Sequence, residues 1–295
     1  MQAILLFIMM ELKSLYNPND RIILWRNTIQ LFHESNKPKF AGPFKVSGFN
    51  YVIEKQCVSS DGGKYPTPDI TASSSDGVAI LELTTDNSKS KKYNLEKYES
   101  ISTRHLHNHG LKKHDNKVPD VLSSRLKYLD DGNYCQLIVQ KELEIRKIEC
   151  IKNQKLSEAL KDSEGIDLSK VPSIPITLIP EMHDKKQELR RGLVEIIMQI
   201  FNPMCKGKTA AQMVEEGMER LYDKVDSVLT TQLTEVVAKE MDLLVNGELK
   251  DYLTKKDAFY ITTEKFKVHH KTLESINYTL KNWAGISTQS TLDDF

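Results

Sequence analysis

Hydrophobic and polar positions follow two different patterns along the chain, and the change falls near residue 150. Before it, short runs rich in β-branched and aromatic residues follow helical segments, as in an α/β protein. After it, apolar residues recur every three or four positions, which is typical of helices with one buried face. The pattern therefore predicts an α/β domain over 1–150, an extended linker with several prolines over 151–184, and a mostly helical region over 185–295.

The first 67 residues predict two helices and an irregular connection. The apolar run AILLFIMM near the N-terminus is too short to cross a bilayer and predicts a buried helix. A second helix is expected from Asp20 to near Asn36, and His33 falls close to its end. From Lys39 to Thr67, glycine and proline surround short β-prone pieces, which indicates a hairpin or an extended arm.

Three later segments have the pattern of strands: TPDITAS, residues 77–85 and residues 134–145. Residues 77–85 are almost continuously apolar, as in a central strand buried on both faces. We expect a helix after Thr85, and we expect 134–145 to lie beside 78–85. The segment VLSSRLKYLDDG follows a second Pro-Asp pair and is expected to begin a helix.

The region after residue 184 predicts helices over 185–201, 210–244 and 263–283, the last ending at Gly285. The strongest periodic signal in the chain is the second of these. Its apolar residues step by four and three positions, through Val214, Met218, Leu221, Val225 and Val228.

Composition limits the possible functions. The 41 basic residues balance 41 acidic ones, so any affinity for nucleic acid must be local. The four cysteines contain no CxxC pair, which argues against a disulfide framework and fits a reducing compartment. No segment has the roughly 18 apolar residues of a membrane span, so we expect an ordered, soluble protein without membrane insertion.

Two carboxylates, Asp69 and Glu82, form the most informative constellation in the sequence. They lie thirteen residues apart on two predicted strands joined by a turn, so the strands can bring them together. A carboxylate inside the apolar run VAILELTT is costly to bury without a cation, and two converging oxygen ligands suit Mg²⁺ or Mn²⁺. The alternative is that Asp69 belongs to a turn and that Glu82 faces solvent from an edge strand.

These residues also carry a family resemblance. Pro68-Asp69, a turn, an apolar strand ending in an acid and a helix with lysine and tyrosine resemble the PD-(D/E)XK nuclease superfamily. Within it, E-L-T-T followed by a helical K-Y-E is similar to the cap-snatching endonuclease at the N-terminus of bunyavirus L proteins, especially phenuivirus-like ones. The specific match is confined to residues 66–99. The chain departs from most of the superfamily because Thr84 stands where the catalytic lysine is usual.

The resemblance implies a nuclease-like mixed sheet flanked by helices, with two Mn²⁺ or Mg²⁺ ions. Asp69 and Glu82 would be catalytic metal ligands, with His33 as an additional ligand from the preceding helix. The catalytic lysine would come from the helix after the strand, with Lys97 the first choice and Lys92 the second. Thr84 and Thr85 would orient Glu82 or hold a metal-bound water.

The resemblance further implies cleavage of capped host RNA to prime viral transcription, in the host cytoplasm, by a domain joined to the rest of a viral polymerase. A local basic stretch fits an RNA substrate, because residues 89–117 contain eight Lys or Arg against three acidic residues. The alternative is a solvated helix face and loop. The candidate RNA contacts in this stretch are Lys89, Lys91, Arg104, Lys112 and Lys113.

Two other functions remain open from the sequence. One is a DNA nuclease of the same superfamily, of cellular, phage or restriction type. The other is a catalytically inactive nuclease-fold protein that mediates interactions, and the absence of a strand lysine at Thr84 favours it.

Overall fold

A computed structural model of the protein describes residues 20–36, 39–54, 67–74, 77–83, 121–125, 134–136, 158–159, 162 and 175–286. The architecture is mixed α/β, with two compact units. In the described part of the chain, the N-terminal unit comprises residues of Asn19–Pro175 together with Asp223–Asp226. The C-terminal unit comprises residues of Ile176–Tyr222 and Ser227–Phe295.

A five-stranded sheet forms the centre of the N-terminal unit, in the spatial order β3-β4-β5-β6-β7. The antiparallel pairs are β3 with β4 and β4 with β5, and the parallel pairs are β5 with β6 and β6 with β7. The middle position of β5 confirms the predicted central strand. The strand bounds are β3 Asn50–Ile53, β4 Ile70–Ser74, β5 Gly77–Glu82, β6 Val121–Arg125 and β7 Tyr134–Gln136.

The segment before this sheet is more broken than its pattern predicts. Helix α1 spans Asp20–Gln30 and ends six residues earlier than expected, because the chain turns into a two-stranded sheet of β1 (Glu34–Asn36) and β2 (Lys39–Ala41). Gly42 follows, and a Cβ added there would collide with the carbonyl oxygen of Leu31. Only glycine therefore fits at this position. The chain then continues into the short helix α2 (Pro43–Val46).

Aromatic and aliphatic side chains form the core around this turn. The ring of Phe32 stacks on Phe44 at 4.5 Å and contacts Tyr51 at 4.6 Å between centroids. Trp25 and Ile29 from α1 are fully buried. These contacts fix the end of α1 and the following residues relative to β3.

Two predictions about the far side of the sheet are wrong. Residues 121–125 form strand β6, whereas a helix start was expected there. As a result, β7 pairs with β6, and it does not lie beside β5 as expected for 134–145. Strand β6 was not recognised because it is parallel to its partner β5. Parallel strands are joined by a long crossover, so no short turn in the sequence marks the pair.

The C-terminal unit packs helices against a small antiparallel sheet of order β8-β10-β9. Its core residues include Leu193, Ile197, Met213, Val237 and Leu280, all fully buried. In chain order its elements are a 3₁₀ helix Pro180–Asp184, α3 Lys186–Ile200, β8 Lys208–Thr209, α4 Ala210–Met218, a 3₁₀ helix Glu219–Lys224, α5 Ser227–Asn246, β9 Leu253–Lys256, β10 Phe259–Thr262 and α6 His270–Trp283.

The predicted helix over 185–201 is confirmed by α3, and the stop at Gly285 is also confirmed. Gly285 has a φ of 62°, and the amide of Ile286 donates back to the Lys281 carbonyl, as in a glycine-terminated helix. The predicted helix over 263–283 is too long, because it begins only at His270. The β9–β10 hairpin before it was not predicted.

The predicted continuous helix over 210–244 is wrong. It breaks after Met218, where Glu219 has a φ of 50°, and it resumes at Ser227. The apolar stripe breaks as well, because Val228 is 62% exposed whereas Val214 and Leu221 are fully buried. The last four residues of the break, Asp223–Asp226, belong to the N-terminal unit.

Asp223–Asp226 lies at the edge of the five-stranded sheet. Val225 forms a parallel β-bridge with Ile53 of β3. The ammonium nitrogen of Lys224 lies 5.6 Å from the ring centroid of Tyr51. Within the described chain, none of the helices combines the length and the hydropathy needed to cross a bilayer.

Candidate functional site

Asp69 lies immediately before β4, after the buried Pro68. Its carboxylate oxygen Oδ2 accepts a hydrogen bond from the backbone amide of Leu83, 2.5 Å away. Its carbonyl oxygen accepts one from the amide of Glu54, at 2.9 Å. These two bonds fix Asp69 between the end of β3 and the end of β5.

The strand register brings position 69 opposite position 82. In the antiparallel β4–β5 pair, Ile70 is the partner of Leu81, so the next pair along the same register is Asp69 and Glu82. Directly opposite residues of neighbouring strands share a face of the sheet and lie about 5 Å apart at Cα. The turn between the two strands therefore brings the two acidic positions together, as the sequence predicts.

The same register continues across the whole sheet. Glu54 follows Ile53, the partner of Ile70, and Arg125 is the partner of both Glu82 and Gln136. We call these positions the sheet-end row, which contains one residue at the end of each strand: Glu54, Asp69, Glu82, Arg125 and Gln136.

Two charged members of the sheet-end row were missed by sequence reasoning. Glu54 follows the apolar strand residues Tyr51–Ile53, and an acid after an apolar run is the signal that identified Glu82. Arg125 could not be found in this way, because the strand that contains it was assigned to a helix. Glu54 also has a φ of 46°, a backbone conformation that costs a non-glycine residue about 1 kcal/mol or more.

The sheet-end row is strongly acidic. Its three carboxyl groups and one guanidinium group give a formal charge of −2 when all are ionised, from −3 and +1. Carboxylate oxygens are the preferred ligands of Mg²⁺ and Mn²⁺ in proteins. The residue types in the row therefore fit a divalent cation, with Asp69 and Glu82 as the adjacent pair.

His33 occupies a different place from the one expected. It lies three residues after the end of α1 and directly before β1, and is not on the helix. Its Nε2 atom lies 3.2 Å from the hydroxyl oxygen of Tyr51, and the two rings meet edge to face at 6.0 Å. The amide of Gly42 donates to its carbonyl oxygen at 2.8 Å.

The register separates this histidine contact from the acidic pair. Tyr51 is the partner of Ala72, three residues along β4 from Asp69, which corresponds to about 10 Å at the usual rise per strand residue. Alternation along β4 also assigns position 72 and position 69 to opposite faces of the sheet. The structure therefore joins Asp69 with Glu82 and joins His33 with Tyr51. Histidine 33 as a ligand of the same ion stays a prediction.

The remaining predicted site residues lie outside the described part of the chain. Within the described residues, no group of three His, Cys, Asp or Glu side chains is arranged to hold a metal ion. The predicted catalytic lysines, the two threonines and the candidate RNA contacts lie outside the described residues: Lys92, Lys97, Thr84, Thr85, Lys89, Lys91, Arg104, Lys112 and Lys113. The predicted N-terminal helix before Asp20 and the predicted helix after Thr85 also lie outside them.

No protein-family model, curated protein or solved structure matches the chain.

Proposed function

We propose that the protein is a metal-dependent endoribonuclease that cleaves phosphodiester bonds at the sheet-end row. The observation that supports the proposal best is the register that sets Asp69 opposite Glu82 on neighbouring strands. A Pro-Asp pair before one strand and a glutamate at the end of the next are also the residues by which the sequence resembles PD-(D/E)XK nucleases. The five-stranded mixed sheet with a central β5 is compatible with such a fold.

The carboxylates of Asp69 and Glu82 would hold the divalent cations, Mn²⁺ or Mg²⁺, with His33 as the predicted additional ligand. In such a site, a pair of ions supplies an activated water and neutralises charge on the leaving oxygen. The protein's own contribution is to fix the carboxylates. The Leu83 amide does this for Asp69, because its hydrogen bond holds one carboxylate oxygen next to the end of β5.

We further propose single-stranded, capped host RNA as the substrate and a viral polymerase in the host cytoplasm as the larger assembly. The support is the resemblance of residues 66–99 to cap-snatching endonucleases and the basic stretch at 89–117. In this proposal Lys97, or Lys92 in its place, stabilises negative charge that develops on the phosphate. The basic side chains around them contact the RNA backbone.

The test is cleavage by the full chain. Labelled single-stranded RNA, single-stranded DNA and duplex DNA are incubated with the protein in EDTA, Mg²⁺ or Mn²⁺. We expect cleavage of RNA that requires the metal and that falls at least about 100-fold in Asp69→Asn, Glu82→Gln and Lys97→Ala. Glu34→Gln is the matched control, because Glu34 is an exposed carboxylate of β1, in the two-stranded sheet and outside the sheet-end row.

The other functions give different results in the same assay. Cleavage of duplex DNA in preference to RNA would indicate a DNA nuclease built on the same row. No cleavage of any substrate, with no rise in melting temperature on adding Mn²⁺, would contradict an enzyme and favour an interaction protein.

A further inference from the structure

We propose that Arg125 is a further substrate-binding residue, which contacts the phosphate group at the sheet-end row. The inference rests on the proposed function, since it names a second role for the same site. Its basis is the juxtaposition of position 125 with position 82: the parallel β5–β6 pair makes Arg125 the register partner of Glu82.

Arg125 flanks Glu82 in the sheet-end row. Glu82 occupies the centre of the sheet-end row, with Asp69 on its antiparallel side and Arg125 on its parallel side. Neighbouring strands lie about 4.8 Å apart, so each flanking position is one strand spacing from Glu82 and the two are about 10 Å from each other. A phosphate held by cations at Asp69 and Glu82 would therefore be within reach of an arginine at position 125.

The charge balance of the row favours this role. A bound phosphodiester adds negative charge to a row that already contains three carboxyl groups, and the transition state of hydrolysis adds more. The described residues of the row include a single cationic side chain, that of Arg125. Its guanidinium stays protonated at every ordinary pH and can bind two phosphate oxygens at once.

The sequence of β5 supports the need for a cationic residue at position 125. Strand β5 (Gly77–Glu82) contains no cationic residue of its own. Arg125 would deliver one from the neighbouring strand at the level of Glu82. The predicted lysines at 92 and 97 follow β5 in sequence, so the two sources of positive charge can be removed separately.

The experiment uses Arg125→Gln and Arg125→Lys in the full chain, with two readouts. The first is binding of labelled single-stranded RNA in Ca²⁺, and the second is its cleavage in Mn²⁺. We expect Arg125→Gln to weaken RNA binding about tenfold and to lower the cleavage rate about 100-fold. We expect Arg125→Lys to recover part of the RNA binding and part of the cleavage rate, because lysine restores the positive charge but lacks the planar guanidinium group.

Metal affinity separates substrate binding from a structural role. If Arg125 binds phosphate, Arg125→Gln leaves the Mn²⁺ affinity unchanged or raises it, because the substitution removes a positive charge near the candidate cation site. An arginine that only pairs with Glu82 to hold β5 against β6 would, when replaced, lower the melting temperature and the Mn²⁺ affinity together. That second result, or wild-type RNA binding and cleavage in Arg125→Gln, would overturn the proposal.

The outcomes also distinguish this proposal from the proposed function. If the wild-type chain does not cleave RNA, the endonuclease proposal fails. The role of Arg125 is then decided by RNA binding in Ca²⁺ alone. Lys45→Gln is the matched control, because Lys45 is an exposed cation of helix α2 in the same unit, and we expect wild-type values in both readouts.

Discussion

The carboxylate of Asp69 accepts a hydrogen bond from the backbone amide of Leu83, the residue directly after Glu82. This bond connects the two halves of the acidic pair through the backbone of β5. A change at Asp69 therefore affects both the local structure and the candidate metal site. The two effects can be separated by the choice of replacement.

Asp69→Asn keeps an oxygen that can accept from Leu83, whereas Asp69→Ala leaves the amide without this acceptor. We expect the alanine variant to lose about 1–3 kcal/mol of unfolding free energy and the asparagine variant to lose less. Both losses are measured by urea denaturation in a Trp283→Phe background, which leaves Trp25, in the same unit, as the fluorescent reporter. Equal stability losses in the two variants would show that the hydrogen bond does not stabilise the fold.

The segment 223–226 is expected to stabilise the N-terminal unit through the contact of Lys224 with Tyr51. A cation over an aromatic ring contributes about 0.5–1 kcal/mol, so a double-mutant cycle of Lys224→Met and Tyr51→Leu should give a coupling energy of that size. Unfolding in urea is the measurement. In a parallel cycle, Tyr51→Phe replaces Tyr51→Leu. It retains the ring and loses only the hydroxyl next to His33, so the contact with Lys224 persists and the coupling energy should be near zero. A coupling near zero in the first cycle would contradict the contact.

The C-terminal unit contains a buried carboxylate, Glu240, that is 5% exposed. The guanidinium Nε of Arg190 lies 2.7 Å from one carboxylate oxygen of Glu240, and the ammonium of Lys186 lies 3.1 Å from the other. Removing Glu240 leaves Arg190 without its acidic partner, so Glu240→Ala should lower the unfolding free energy by about 3 kcal/mol or more. Lys186→Ala should cost less than about 1 kcal/mol, because that side chain is 58% exposed.

Trp283 reports on this change, since Arg190 lies 4.9 Å over its ring and donates to its carbonyl oxygen. The chain has two tryptophans, so a Trp25→Phe background leaves Trp283 as the only reporter, with the Trp25→Phe protein as reference. A loss for Glu240→Ala as small as that for Lys186→Ala would mean that the buried ion pair is not needed for stability.

Tyr260 is expected to make the unfolding free energy decrease at alkaline pH. Burial raises the pKa of its phenol well above the usual value, and the hydrogen bond to Asp242 and the charge of that residue raise it further. In the unfolded chain the phenol loses its proton near pH 10, about its ordinary pKa, whereas in the folded chain it keeps it. The stabilisation is therefore complete below about pH 10 and declines as the pH rises above it.

Unfolding free energies at pH 9 and pH 11 test this prediction. The decrease between the two should be smaller in Tyr260→Phe than in the wild type, with the exposed Tyr278 changed to Phe as the control. The same decrease in Tyr260→Phe as in the wild type would contradict the role of Tyr260.

Local patterns predicted the elements whose partners are close in sequence. The strands β4 and β5 and the pairing of Asp69 with Glu82 follow from a short turn between apolar runs, and α3 follows from its periodicity. Elements set by distant partners were missed. Strand β6 depends on a parallel partner some forty residues earlier, and the break near Val225 coincides with its bridge to Ile53, 172 positions away. No periodicity within 210–244 carries that information.

The candidate site shows the same division. Asp69 and Glu82 could be found because each ends or precedes an apolar run, and Glu54 has the same signal. Arg125 depends on the register of β6. The helical position expected for His33 was wrong because the chain leaves α1 at Gln30 to make the close turn at Gly42.

The proposed function requires that Asp69 and Glu82 together hold a divalent cation. Electron paramagnetic resonance of free Mn²⁺ during titration of the full chain measures this binding directly, without any substrate. We expect Mn²⁺ binding by the wild type and by Glu34→Gln, and a loss of at least about tenfold in affinity in both Asp69→Asn and Glu82→Gln. Equal Mn²⁺ affinity in all four proteins, or no binding by the wild type, would contradict it.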